Sequence, residues 1–196
     1  ALGRVLVEDV AAPFDVPPFD YSAMDGYAVR AEEVAGASTE RPVRLAVAGR
    51  VGAGMVAAHS VRAGEAWRVL TGAPIPLGAN AVVPFEWVRA VGPNGEATDH
   101  VPDGFGGWTG TDGAEEASID VTVPVEVGDD VRPRGEDQRA GAISIRAGTR
   151  IRPAEVAVLA SLGRQWVWVT RRLRVGVLST GDELVGRDHS GPLPPG

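Results

Sequence analysis

Pro18-Phe19-Asp20-Tyr21-Ser22-Ala23-Met24-Asp25-Gly26-Tyr27-Ala28-Val29-Arg30 is the stretch on which the reading of this chain turns. It sets a hydroxyl, a carboxylate and a glycine between apolar and aromatic residues. Asp25-Gly26 reads as a tight turn or bulge, because glycine accepts positive φ and aspartate tolerates it. Tyr27, Ala28 and Val29 then lead into an extended segment. Alone, Asp25-Gly26 is a hairpin corner. A functional role for it depends on what the rest of the chain brings alongside.

Towards the C-terminus, short apolar alternations are broken by turns: Val43, Leu45 and Val47, then Trp67 and Val69, then the run Ala81-Val82-Val83. That pattern predicts a compact β domain. Towards the N-terminus, Leu2, Val5, Leu6 and Val10 stand at roughly helical spacing, with Arg4, Glu8 and Asp9 between them. They predict the last turns of a helix whose start has been cut away. Pro13, Pro17 and Pro18 force an extended linker after it.

Residues 92–118 differ from their surroundings. Gly92-Pro93-Asn94-Gly95 opens the stretch, Asp99, Asp103, Asp112, Glu115 and Glu116 load it with acid, and aliphatic residues nearly vanish. A mobile acidic loop is expected. Ile119, Val121, Val123, Val125 and Val127 alternate as a strand, and Ile143 with Ile145 forms a shorter one. Residues 153–162 predict a helix, opened by Pro153 and stopped at Gly163. Trp166-Val167-Trp168-Val169 alternates again. Val175-Gly176-Val177-Leu178 is more continuously apolar, as in a strand buried on both faces of a parallel sheet. With no second strand after it, the chain is expected to stop inside a domain.

Composition narrows the function classes. At 196 residues the chain holds one large domain or two small ones, and 26 Gly with 15 Pro favour short strands over a helical bundle. No apolar run approaches membrane-spanning length, and no charged, then apolar, secretory start is present. The absence of Cys excludes disulfides and thiolate metal sites and fits a cytoplasmic setting. A net charge of −7 argues against a nucleic-acid surface, although all 19 basic residues are Arg. His59, His100 and His189 show no metal-ligand spacing, and none is placed for a Ser-His-Asp hydrolase.

Four loops share a style of small residues, hydroxyls and acids: residues 22–26, 71–76, 134–137 and 179–183. Each read singly is a structural turn or a solvated charge cluster. The last is the most pointed, since the loop after a buried parallel strand is the usual ligand position in open α/β sheets. There Ser179, Thr180 and the Gly181 amide can donate to a phosphate, whereas Asp182 and Glu183 repel one unless a Mg²⁺-type cation bridges them. The same logic suits Asp25 and Asp137, and Arg132, Arg134 and Arg139 offer bidentate anion contacts. The constellation points to phosphate-ester or oxyanion chemistry assisted by a cation.

Taken together, the four loops resemble the molybdopterin molybdenumtransferase family, the MoeA proteins and the gephyrin E domain. The resemblance rests on Pro18-Phe19, Ser22-Ala23-Met24-Asp25-Gly26-Tyr27-Ala28-Val29-Arg30, Arg68-Val69-Leu70-Thr71-Gly72-Ala73-Pro74-Ile75-Pro76, Arg134-Gly135-Glu136-Asp137 and Leu178-Ser179-Thr180-Gly181-Asp182-Glu183-Leu184, in that order. It implies an enzyme of molybdenum cofactor biosynthesis that inserts molybdate into adenylylated molybdopterin, with Mg²⁺-dependent release of AMP. It further implies a homodimer of four-domain subunits, with the active cleft between the third domain of one subunit and the second of its partner. The fold it implies is α+β and β-rich. A mostly-β domain (12–140) is inserted into a small discontinuous α/β domain (1–11 and 141–170), and 171–196 open a truncated α/β (MogA-like) domain.

By motif match, Asp25, Thr71, Asp137 and Glu183 fall on the family's functionally important polar positions, with Glu183 expected near the cation and adenylate. Ser22, Gly72, Arg134, Ser179, Thr180, Gly181 and Asp182 fall on expected substrate contacts. Three departures stand out: the length of 92–118, Asn80 where the family often has Asp, and Pro84-Phe85 before Glu86. Because the third domain is only begun, the 196 residues alone are expected to be inactive. A family member serving as a non-catalytic dimeric scaffold or partner-binding module is the alternative, and a generic cation-dependent phosphoesterase a third reading.

Overall fold

The computed structural model describes residues 1–52, 54–92, 94–95, 97–98 and 118–193. The acidic loop expected over 92–118 lies outside the described residues from 99 to 117. Eleven strands are described: β1 Val10–Ala11, β2 Tyr21–Ser22, β3 Gly26–Val29, β4 Val43–Val51, β5 Glu65–Val69, β6 Ala81–Pro84, β7 Val88–Val91, β8 Ala97–Thr98, β9 Ser118–Val121, β10 Val131–Arg132 and β11 Ile143–Ile145. Two α-helices accompany them, the single turn α1 Ala31–Val34 and α2 Pro153–Ser161, with one 3-10 turn at Phe85–Trp87. Seven strands form one sheet in the order β6-β3-β5-β4-β9-β7-β8, and β1-β11 and β10-β2 form two-stranded pieces. Only β4 and β5 run parallel within the large sheet.

The large sheet is apolar on both faces because its strands alternate between two cores. On β3, Tyr27 and Val29 enter one core while Ala28 enters the other. Likewise Ala81 and Val83 part from Val82 on β6, and Ala66 parts from Trp67 and Val69 on β5. This is the period-2 geometry of a strand. On β4, Val43, Leu45 and Val47 face the first core but Val51 lies in the second. Strict alternation would have kept Val51 with Val47. The register shift between Val47 and Gly49 moves it across, as an extra residue in a strand must.

A third core joins distant parts of the chain: Leu6, Val10 and Ala12 pack with Ile145, Ile151, Leu159 and Leu162. This arrangement overturns the helix expected over residues 2–10. Val5 and Leu6 instead form antiparallel bridges to Arg150 and Val169, and Val10 pairs with Ile145. Leu2, Leu6 and Val10 are four apart, a spacing that suits one face of a strand as well as one stripe of a helix. Extended pairing satisfies the backbone here, with Leu6 N donating to Thr149 O at 3.0 Å.

The strand expected over 119–127 ends at Val121. Its partners β4 and β7 begin opposite that residue, and Pro124 has no N–H to carry a ladder further. Val125 still reaches the first core, whereas Val127 is 72% exposed. At 166–169 the alternation is real, with Val167 and Val169 turned to the third core and both tryptophans exposed, but only Val169 makes a bridge. Val175, Val177 and Leu178, expected as a buried strand, form no strand and lie exposed, since they pair with none of the described strands.

The helix expected over 153–162 is α2, and it is held at its start by Glu155. That carboxylate accepts from Arg152 N at 2.8 Å and from the Arg152 guanidinium. The Arg152 side chain, then its backbone N–H, hold the Glu155 carboxyl down to about 2. A carboxyl whose folded value is depressed stabilises the fold above its unfolded value of about 4.5, and loses that contribution as pH falls through about 2. Acid unfolding of Glu155→Gln should therefore lack the component that wild type shows between these values. Coincident pH profiles for the two proteins would contradict this assignment.

Asn80 explains its own presence. Its Oδ1 accepts from Ala31 N at 2.8 Å and its Nδ2 donates to Glu32 Oε2 at 3.1 Å, so it caps α1 from across the fold. Asn80→Ala leaves the buried Ala31 amide without an acceptor and should cost about 1 kcal/mol. Chemical denaturation measures this; an unchanged midpoint would show that water replaces the cap.

Candidate functional site

Residues 20–25 form the hub of the polar loops. β2 pairs on one side with β10, Ser22 opposite Val131 and Tyr21 opposite Arg132. On its other side lies the 71–76 loop: Tyr21 bridges to Pro74, Ser22 N donates to Ala73 O at 3.0 Å, and Gly72 N donates to Ser22 O at 2.8 Å. Ser22 is fully buried, and its hydroxyl closes the turn by donating to Met24 O. Gly72 holds φ +82, the left-handed conformation that lets the chain reverse directly after Thr71.

Asp25 emerges from this turn at the mouth of β3. Gly26 faces Val69 on one side and Pro84 on the other, so Asp25 stands beside the end of β5, just before Thr71. Both Thr71 donors meet one oxygen: Thr71 N lies 2.6 Å and Thr71 Oγ1 2.7 Å from Asp25 Oδ1. Asp25 Oδ2 makes no hydrogen bond among the described residues. The pair is exposed, so an oriented carboxylate oxygen faces solvent.

The third loop is cradled by residues 15–20. Arg134 N donates to Asp20 Oδ1 at 2.7 Å, Gly135 N to Pro17 O at 2.8 Å, and Asp137 N to Val16 O at 3.0 Å. Arg134 Nε donates to Asp15 Oδ2 at 2.6 Å, and Asp15 Oδ1 accepts from Ala140 N at 2.8 Å. The Ala140 amide first, then Arg134, hold the Asp15 carboxyl below its usual range. Arg132 is engaged by Glu136 and lies 3.8 Å from Asp137 Oδ1, so Asp137 belongs to the charge balance of its own loop.

Ser22, Asp25, Thr71 and Gly72 are thus brought together, and Arg134 and Asp137 share the same hub through β10 and Asp20. Residues 179–183 do not join them. Ser179, Thr180, Gly181, Asp182 and Glu183 are exposed, and the hydrogen bonds of 171–193 among the described residues stay within that segment. No three His, Asp or Glu side chains among the described residues gather as a metal site. Asp15 and Asp20 were not singled out as site residues from sequence. A signal existed: two acids bracket a proline-rich linker in a chain whose densest arginine loop needs counter-charge.

Residues 1–163 match the family described as MoeA N-terminal region (domain I and II). The chain is 38% identical to a molybdopterin molybdenumtransferase of Bacillus subtilis (strain 168), over all of this chain and 40% of that protein. It is 39% identical to molybdopterin molybdenumtransferase 2 of Mycobacterium tuberculosis, over all of this chain and 42% of that protein. A crystal structure of a molybdopterin biosynthesis moeA protein from Pyrococcus horikoshii OT3 superposes with a TM-score of 0.70 at 40% identity, covering 85% of this chain and 38% of that one. The mostly-sheet fold with its few helices is that of these proteins, and the chain belongs to the MoeA N-terminal family. It spans about 40% of the length of these curated relatives.

Proposed function

We propose that the intact protein to which these residues belong is a molybdopterin molybdenumtransferase, inserting molybdate into adenylylated molybdopterin with Mg²⁺-dependent release of AMP. The observation that carries this reading is the convergence of Asp25, Thr71 and the Arg134 loop on one hub, in a chain of the MoeA N-terminal family. Substrates of this kind are anionic, and the Arg134 guanidinium supplies a cation for them, whereas the Asp25 carboxylate suits a donor or a cation rather than the anion itself. Asp25 Oδ2 is a free acceptor for a donor on the substrate or for a metal-bound water. Thr71 fixes the direction of that acceptor by holding Oδ1 twice.

Mg²⁺ takes oxygen ligands and keeps several waters, so one or two carboxylates suffice on the protein side. Glu183 and Asp182 are exposed donors of that kind, with Ser179, Thr180 and the Gly181 amide beside them for a phosphate. When bound, the ion would offset the negative charge of the adenylate. Most of the third core comes from residues 6–10 and 145–169, which supports reading 12–140 as a β domain inserted into a discontinuous one, with 171–196 opening a third. On this reading the active protein is a cytoplasmic homodimer, and residues 1–196 alone do not turn over.

The test is a molybdenum-insertion assay on the intact protein with adenylylated molybdopterin and molybdate, with and without Mg²⁺. AMP release that depends on both molybdate and Mg²⁺ is expected. Binding of the pterin without any AMP release would reject the enzyme reading and favour a scaffold.

A further inference from the structure

We propose that Asp15 is a positioning residue that holds the Arg134 guanidinium by its Nε edge, leaving both Nη groups to receive a tetrahedral oxyanion. The geometry is asymmetric in a useful way. Arg134 Nε donates to Asp15 Oδ2 at 2.6 Å, and the Arg134 Nη groups make no hydrogen bond among the described residues. The Arg134 side chain is 63% exposed while that of Asp15 is 13% exposed, so the carboxylate is the fixed member of the pair. Its other oxygen is tied to Ala140 N at 2.8 Å, which prevents it from following the arginine outward.

The backbone supports the same arrangement. Arg134 N is anchored to Asp20 Oδ1 and Gly135 N to Pro17 O. Gly135 holds φ +71, and a Cβ there would sit 2.9 Å from Arg139 Cδ and 3.3 Å from Asp15 Cγ. A side chain there would displace Arg139 and press on Asp15, in a backbone conformation that favours glycine. Arg132, two residues earlier, is the contrast: Glu136 and Asp137 both face it, so its charge is answered within the loop. Arg134 is therefore the loop's oriented cation with open donors, and a guanidinium offers two parallel N–H donors that match one face of a tetrahedral oxyanion. Molybdate and the phosphate of an adenylate share that chemistry.

The assignment rests on the proposed function for its reaction, but its binding arm does not. In the intact protein, titrations with sodium molybdate and with AMP would be compared for wild type, Arg134→Gln, Asp15→Asn and the remote control Asp120→Asn. Asp120 pairs with Arg44 across β4 and β9 at 2.7 Å, a similar ion pair outside the hub. Arg134→Gln and Asp15→Asn are each expected to weaken one of the two anions roughly tenfold. Asp120→Asn is expected to weaken neither, and the thermal midpoint of Asp15→Asn to stay near that of the control. Which anion responds identifies the source. Wild-type affinity for both anions in Asp15→Asn, or no binding of either by wild type, would overturn the proposal. Asp15-dependent binding in a protein that releases no AMP would sink the enzyme reading and keep this one. In an active enzyme, Asp15→Asn should raise KM with kcat little changed; unchanged KM would remove the positioning role. If Asp15→Asn fails to fold, Arg134→Lys takes its place. It keeps the charge but loses the paired donors, so retained wild-type affinity there would also overturn the proposal.

Discussion

Gly26→Ala lowers the unfolding free energy by about 3 kcal/mol or more, an effect large for a single methyl group. Gly26 lies between β5 and β6, and a Cβ there would fall on Val83 O, with Val83 C at 2.9 Å and Pro84 Cα at 3.1 Å. These are backbone atoms of a neighbouring strand, so no rotamer change relieves the overlap. The strands must separate, and β3 with its fully buried Tyr27 and Val29 lies at the centre of that damage. Gly36→Ala is the control, because a Cβ at Gly36 meets nothing within 4 Å. Urea unfolding of the two variants measures the difference; equal midpoints would show that the sheet can open at Gly26 at little cost.

Asp25→Ala has the opposite profile. The carboxylate and Thr71 are exposed, so water replaces the lost acceptor, and the stability change should stay within about 1 kcal/mol. On the proposed function, turnover in the intact protein should fall about a hundredfold or more, the scale of losing one positioned hydrogen-bonding group. Thr71→Val, which keeps the backbone donor and loses only Oγ1, should fall between Asp25→Ala and wild type. Steady-state rates beside denaturation curves decide the matter. A variant that unfolds while its folded fraction keeps full activity would make Asp25 a structural corner.

Much of the large sheet was legible because burial on alternating faces leaves a period of two in the sequence, as in Val43, Leu45 and Val47 or at Tyr27 and Val29. The reading failed where period and partner part company. Leu2, Leu6 and Val10 satisfy a helix and a strand equally, and only the pairing of residues 5–7 with 149–151 and 168–170 decides between them. Val123 and Val127 continue an alternation after the neighbouring strands have ended. In the site, the Asp25–Thr71 pair could be suspected from the loops but not its two bonds to one oxygen. Asp15 and Asp20 showed in sequence only as acids bracketing a proline-rich linker, because their partners lie far along the chain, Arg134 being 119 residues from Asp15. Asn80 looked like a departure, and its contacts make it a helix cap.

The antiparallel contact of residues 12–16 with 138–142 has a consequence for how such sequences change. Val16 N donates to Gln138 O at 2.8 Å and Ala12 N to Ala142 O at 2.9 Å, so the chain leaves and re-enters the third core through one narrow ribbon. One residue added to either side would slip the ribbon's register and turn Asp15 away from Arg134. Insertions and deletions in these two short segments should therefore arise in compensating pairs, as in the two rails of a single track.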